Sequence, residues 1–238
     1  MSSKKAIQRI LNKDMKEIYR MNLNENGIFV NFDEDNIMKA KGMIIGPTDT
    51  PYENGILFFD ISFPTNYPYS PPIIKYYSRS PYRVHPNLYV GKSYDNYLGK
   101  VCLSMLNTWA GPKWTSVMHI GSILLTLQSI LTKYPLENEP GFENTSIDKK
   151  ELFNHIVIYD TFRNLIYDNI ISTPNDYKIF MSDITKHFQE KQDSIIHKLK
   201  EHSEKYTSKT KISSGIYNYT ITIDYNHLKT KFDNNFKL

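Results

Sequence analysis

The chain has 238 residues, 40% of them hydrophobic and 23% charged, with 10 Gly and 12 Pro. This is the composition of a globular core domain with an extension, and it excludes collagen-like and wholly disordered chains. The formal charge of +4 is too slight to draw a polyanion, so no nucleic-acid partner is expected.

The first residues carry charge with no apolar run behind them, so no secretory signal is expected. Ile7, Ile10, Leu11, Met15 and Ile18 recur at helical spacing and predict an amphipathic helix over residues 4–20, with Lys5, Arg9, Lys13 and Lys16 on its outer face. Gly27 to Phe32, Met38 to Ile45, Leu57 to Phe63 and Ile73 to Tyr77 read as four strands of an antiparallel meander, with Gly46-Pro47 and Asn54-Gly55 as turns. Leu57, Phe59, Ile61 and Phe63 alternate with Phe58, Asp60 and Ser62, the pattern of a strand with one face on the core. Pro64, Pro68, Pro71 and Pro72 then end the ladder, because proline lacks the backbone donor a central strand needs.

From Ser78 to Met118 no period survives, and this stretch holds the sole cysteine, Cys102. A lone thiol makes neither an internal disulfide nor a multi-thiolate metal site, and predicts a cytosolic or nuclear protein. Helical spacing returns at Ile120, Ile123, Leu124, Leu127, Ile130 and Leu131, and again at Leu152, Ile156, Tyr159, Phe162 and Ile166. The run from Ile120 to Leu131 is interrupted by Ser122, Thr126 and Gln128 and falls short of the roughly 20 residues a membrane span requires, so no membrane partner is expected. Thr173-Pro174-Asn175-Asp176 breaks the pattern, and a further helix is expected through Tyr177, Phe180, Ile184, Phe188, Ile195 and Leu199. The chain therefore divides into a core at 1–172 and a mainly helical C-terminal extension at 173–238. Gly215 to Tyr225 is a candidate terminal strand, and Leu228 to Leu238 carries no readable pattern.

The seven histidines show no metal-ligand spacing, so no metal is expected. Gly91-Lys92-Ser93 ends like a phosphate loop, but the glycine required five residues earlier is Pro86, which excludes a nucleotide cofactor. A hydrolase with His85 or His119 as base to Cys102 needs three groups to converge, which spacing does not show.

Stronger words surround the thiol. Gly46-Pro47-Thr-Asp-Thr-Pro51-Tyr52, Phe63-Pro64-Thr-Asn-Tyr67-Pro68-Tyr-Ser-Pro71-Pro72, His85-Pro86-Asn87, Gly99-Lys-Val-Cys102-Leu103 and Trp114 follow one another in order. Together they resemble the ubiquitin-conjugating enzyme family over roughly residues 4–170. Asn107-Thr-Trp109-Ala-Gly-Pro112-Lys-Trp114 and Asn138-Glu139-Pro140-Gly141-Phe142 resemble its larger subgroup with C-terminal extensions. The resemblance implies an α+β core around a four-stranded antiparallel meander. It implies that Cys102 takes the carboxyl terminus of ubiquitin, or of a ubiquitin-like protein, as a thioester from an activating enzyme and passes it to a substrate lysine, alone or with a ubiquitin ligase. ATP would be used by the activating enzyme, and the chain itself needs no cofactor. A second reading is a catalytically silent module on the same fold that binds ubiquitin or a ligase.

The chemistry is sound on elementary grounds. A thiol of pKa about 8.5 is a few per cent thiolate at neutral pH and needs no dedicated base. Acyl transfer does need a donor for the developing oxyanion, a role the resemblance gives to Asn87. An incoming lysine, pKa about 10.4, must lose a proton at a cost of roughly 4.6 kcal/mol at pH 7. The resemblance places Asn138 and Glu139 at that gate; the plainer alternative is that Glu139 caps a turn before Pro140. His85 is read mainly as a loop organiser presenting Asn87. By the same resemblance, the helix carrying Lys5 and Arg9 docks the activating enzyme, and Tyr69, Trp109 and Trp114 face ligases. Two departures stand out. Asn87 and Cys102 are 15 positions apart, longer than is usual, with the surplus in Val90 to Leu98, expected as an exposed loop. Trp114-Thr115-Ser116-Val117 lacks the proline usual after the tryptophan, which predicts a looser loop.

Overall fold

A computed structural model describes residues 3–91 and 97–236. The chain forms two compact units, Met1–Gly46 with Leu57–Thr132, and Pro47–Ile56 with Lys133–Leu238. The boundary expected between 172 and 173 falls within the second unit.

The first unit opens with α1 (Ser3–Arg9) and α2 (Met15–Arg20), joined by a π-helical segment, Ile10–Asp14. The inward stripe differs from the expected one: Ala6, Ile10 and Asp14 are buried, whereas Leu11 and Met15 are exposed. A hydrophobicity pattern cannot assign an acid to the core, but one oxygen of Asp14 is well partnered there. Its Oδ1 accepts from the Tyr67 hydroxyl at 2.6 Å and from the Ile120 N–H at 2.9 Å. Burial, and then the carboxylate beside it, keep the Tyr67 phenol protonated far above the ordinary tyrosine range.

The sheet runs β1 (Ile28–Phe32), β2 (Lys39–Ile45), β3 (Ile56–Ser62), β4 (Ile73–Tyr77) and β5 (Leu98–Lys100), each beside its sequence neighbour. The four expected strands are present, and a fifth pairs Lys75 with Lys100 and Tyr77 with Leu98. The expected alternation in β3 is broken by Phe58, which is as buried as Leu57 and Phe59. One face of the sheet meets α3 (Ile120–Ser129), whose Ile120, Ile123, Leu124 and Leu127 are buried. At Gly42 the approach is close: a Cβ there would stand 3.8 Å from Leu124 Cδ2 and 3.3 Å from Ile61 Cδ1. His119 caps α3, its Nδ1 accepting from the Ser122 N–H at 3.3 Å.

The second unit holds α4 (Ile147–Asp160), a π-helical continuation Thr161–Asp168, α5 (Asn169–Ile171) and the long α6 (Met181–Lys205). The expected terminal strand is one half of a hairpin, β6 (Thr210–Ser213) with β7 (Thr220–Ile223), in which Ile212 pairs with Ile221. The unpatterned end is also a helix, α7 (Tyr225–Asn235), capped by the Asp224 carboxylate on the His227 N–H. Its buried residues Tyr225, Leu228 and Phe232 are spaced as a helix requires, but the stripe begins inside the predicted strand.

Candidate active site

Beyond β4 the chain passes through His85-Pro86-Asn87 and returns as β5 and Cys102. The two segments pair antiparallel: Tyr89 N–H donates to Lys100 O at 3.0 Å, and Cys102 N–H to Asn87 O at 2.9 Å, with an isolated bridge between Leu88 and Val101. This pairing brings Asn87 and Cys102 together across 15 positions. It depends on Gly99, where a Cβ would lie 1.7 Å from Tyr89 O. Of the expected loop Val90 to Leu98, residues 92–96 lie outside the described residues.

The Asn87 side chain completes the link, its Nδ2 donating to Cys102 O at 2.7 Å. An amide nitrogen carries two hydrogens; the second has no acceptor among the described residues and remains for another oxygen. The Cys102 residue is buried, 2% exposed.

His85 is fully buried beside this link. Its Nδ1 lies 3.0 Å from the Asn87 backbone N–H and its Nε2 2.9 Å from Ile130 O. A backbone N–H can only donate, so Nδ1 is the acceptor and the ring proton sits on Nε2, pointing at the carbonyl. Burial pushes the imidazole down to about 4, which keeps it neutral. Both ring nitrogens are therefore committed to the backbone.

Thr108 went unremarked in the sequence. Its Oγ1 accepts from the Leu103 N–H at 2.9 Å and lies 2.8 Å from Val101 O, so it grips both neighbours of Cys102. Asn107 itself adopts φ +58° and accepts the Trp114 N–H through Oδ1 at 3.1 Å.

The residues expected to meet partners divide. Lys5 is exposed, Tyr69 is 64% exposed and Trp109 half-buried. Trp114 is 8% exposed and its indole N–H donates to Pro68 O at 2.6 Å, which makes it a strut and corrects the expectation that it faces a ligase. Arg9 is likewise turned inward: its guanidinium donates to Met118 O at 2.6 Å and Ser116 O at 3.3 Å. Lys13 adds a bond to Val117 O at 3.1 Å. These bonds replace the missing proline, so the 115–118 loop expected to be loose is held from the first helix.

Glu139 and Asn138 belong to the second unit, at the end of a 3-10 turn, Pro135–Asn138. Asn138 Nδ2 donates to Pro135 O at 3.3 Å. The Glu139 carboxylate Oε2 accepts from the Tyr217 hydroxyl at 2.6 Å, and the backbone N–H closes on Leu136 O. Among the described residues no group of three or more His, Cys, Asp and Glu could hold a metal ion.

The family model described as ubiquitin-conjugating enzyme matches residues 10–157. The chain belongs to the ubiquitin-conjugating enzyme family. Among relatives, ubiquitin-conjugating enzyme E2 Z of Danio rerio is 35% identical over 81% of this chain and 56% of its own length. The Homo sapiens protein of that name is 36% identical over 66% of this chain and 43% of its own. This family member thus spans about half the length of the curated relatives it matches. The E2 domain of a Toxoplasma gondii ubiquitin conjugating enzyme covers 63% of the chain and is itself 97% covered, at 25% identity and a TM-score of 0.46. The family-model match takes in Asn87, Cys102 and Glu139 and ends inside α4.

Proposed function

We propose that the chain carries ubiquitin, or a ubiquitin-like protein, as a thioester on Cys102 and transfers it to a substrate lysine, alone or with a ligase, in the cytosol or nucleus. The observation that carries this reading is the amide of Asn87 bonded to Cys102 O with a second N–H in hand. In charging, Cys102 Sγ attacks the modifier's carboxyl-terminal carbonyl on the activating enzyme's thiol, and that thiolate leaves. The activating enzyme uses the ATP, and this chain takes no cofactor. In discharge the lysine Nζ bonds to the carbonyl carbon, the carbon–Sγ bond breaks, and the electron pair leaves with the thiolate. The second Asn87 N–H is the donor for the intervening oxyanion, a kind of interaction typically worth about a hundredfold to a thousandfold in rate.

His85 holds the loop that presents Asn87. It is not the base, because its Nδ1 lone pair is already taken by the Asn87 N–H. The ammonium proton therefore needs another neighbour. Glu139, with Asn138 beside it, is assigned that place by the family resemblance, binding and orienting the amine as its proton passes to water. Lys5 and the exposed Tyr69 are the contacts proposed for the activating enzyme and the ligase.

The buried thiol favours the second reading, a silent module that binds ubiquitin or a ligase. One experiment separates the two. Incubation with activating enzyme, ATP and ubiquitin, followed by a non-reducing gel, gives a thiol-labile adduct for a carrier. Cys102→Ser leaves an alkali-labile ester that resists thiols, and Cys102→Ala leaves none. An adduct that persists in the Ala variant removes Cys102 from the reaction.

A further inference from the structure

The peptide unit between Pro86 and Asn87 is held at both of its edges. Its N–H donates to His85 Nδ1 at 3.0 Å, and its carbonyl, Pro86 O, accepts from the Arg83 guanidinium. A peptide unit is planar. Two bonds on its opposite edges therefore fix its rotation, and with it the direction in which the Asn87 side chain leaves the backbone. Beyond Asn87 the same guanidinium lies over the Tyr89 ring, 3.7 Å from the centroid, and Tyr89 is tied into the ladder by its N–H on Lys100 O at 3.0 Å. Arg83 thus brackets Asn87 along the chain, meeting residue 86 by a hydrogen bond and residue 89 with its face. An arginine suits both tasks at once, because a planar guanidinium donates from its edge while its face rests on an aromatic ring.

We infer that Arg83 is a positioning residue for acyl transfer: it locks the Pro86–Asn87 peptide plane, so that the Asn87 amide, which spends one hydrogen on Cys102 O, aims the other at the oxyanion. This rests on the assignment of Asn87 in the proposed function. A donor lowers the barrier most when it is already in place as the charge develops. The bond from Nδ2 to Cys102 O at 2.7 Å restrains the far end of the side chain, and the locked plane restrains its root. His85 holds the N–H edge from the interior, and Arg83 holds the carbonyl edge. The reaction is unchanged. Nζ bonds to the thioester carbon and an electron pair moves onto the carbonyl oxygen. That pair returns as the carbon–Sγ bond breaks and the thiolate leaves, and the ammonium proton passes to water.

The test uses the full chain charged with ubiquitin, with loss of the thioester followed over a range of free lysine concentrations. Arg83→Met keeps an unbranched stem and removes the donor. The expected result is a maximal discharge rate about tenfold lower, the usual worth of one hydrogen bond from a charged group, with the half-saturating lysine concentration unchanged. Arg83→Lys, which still donates but has no flat face for the ring, is expected to recover part of that rate. Asn87→Ala is expected to lose more, and the double variant Arg83→Met with Asn87→Ala to discharge no more slowly than Asn87→Ala alone. Tyr89→Leu unstacks the guanidinium without touching Pro86 O, is expected to slow discharge by a smaller factor, and carries the test if Arg83→Met does not fold. A parent rate in Arg83→Met, or in Tyr89→Leu where that variant carries the test, overturns the inference. So does a half-saturating concentration that rises while the maximal rate holds. A double variant slower than Asn87→Ala alone makes Arg83 a merely structural residue and overturns it as well. An Asn87→Ala variant as fast as the parent removes the assignment beneath it, and a parent chain that takes no ubiquitin removes the carrier reading itself.

Discussion

At the scale of single residues, the loop at the site is held by a histidine whose two ring nitrogens are both bonded. His85 has one donor and one acceptor, and both go to backbone. Its folded pKa of about 4 lies below the unfolded value near 6.5, so the unfolded chain binds the extra proton between those limits. Stability from this group is therefore complete above about pH 6.5 and is lost as the pH falls toward 4. The sum is on the order of 3 kcal/mol. We expect His85→Gln to start from lower stability at pH 7 and to show a shallower decline over that window, read by urea unfolding at a series of pH values. A parallel decline in the two proteins places the acid sensitivity elsewhere. The sequence made this geometry half legible: His85-Pro86-Asn87 and Cys102 stood out by resemblance, and the imidazole bonds to the backbone of that loop. Thr108 was not visible, because a threonine between an asparagine and a tryptophan has no period or charge to mark it. Nor was the inward turn of Arg9, since burial of a guanidinium depends on the carbonyls it finds.

At the scale of elements, β1 to β4, α3 and the first helix followed from periodicity and from proline and glycine punctuation. β5 did not, because three residues are too few to show alternation. It also includes a glycine, Gly99, chosen for space and not for propensity. Gly99→Ala tests that reading: with Tyr89 O at 1.7 Å from the new methyl, the pairing of 89 with 100 must open. We expect a loss on the order of 3 kcal/mol and slower charging of Cys102, because Asn87 is placed by the same ladder. An Ala variant with parent stability and charging would show that the pairing is dispensable. The first helix teaches the converse. Its period was real, but a hydrogen-bonded aspartate displaced the apolar residues expected inside, and the Tyr67 hydroxyl and the Ile120 N–H explain why.

At the scale of the molecule, the region past Pro174 was readable as ordered and helical, and not as more than that. Its partners are aromatic, and one is distant in sequence: Phe232 of α7 lies 5.2 Å from the Tyr167 ring and 5.2 Å from Phe236 one turn on, and is fully buried. Phe232→Ala is expected to cost about 3 to 5 kcal/mol by the cavity it leaves, measured by chemical denaturation of the full chain. A loss under about 1 kcal/mol would mean that α7 contributes little to its unit. Such long-range contacts have no local trace, which is why an extension can be seen in a sequence long before its purpose can. A carrier, finally, has to keep its passenger while it travels between one partner and the next, surrounded by water at a concentration no amine can match. Under the proposed carrier function, the His85 imidazole has already given away its lone pair inside the loop, so that ring has no means of turning a passing water into hydroxide, and spillage is not hastened from that side.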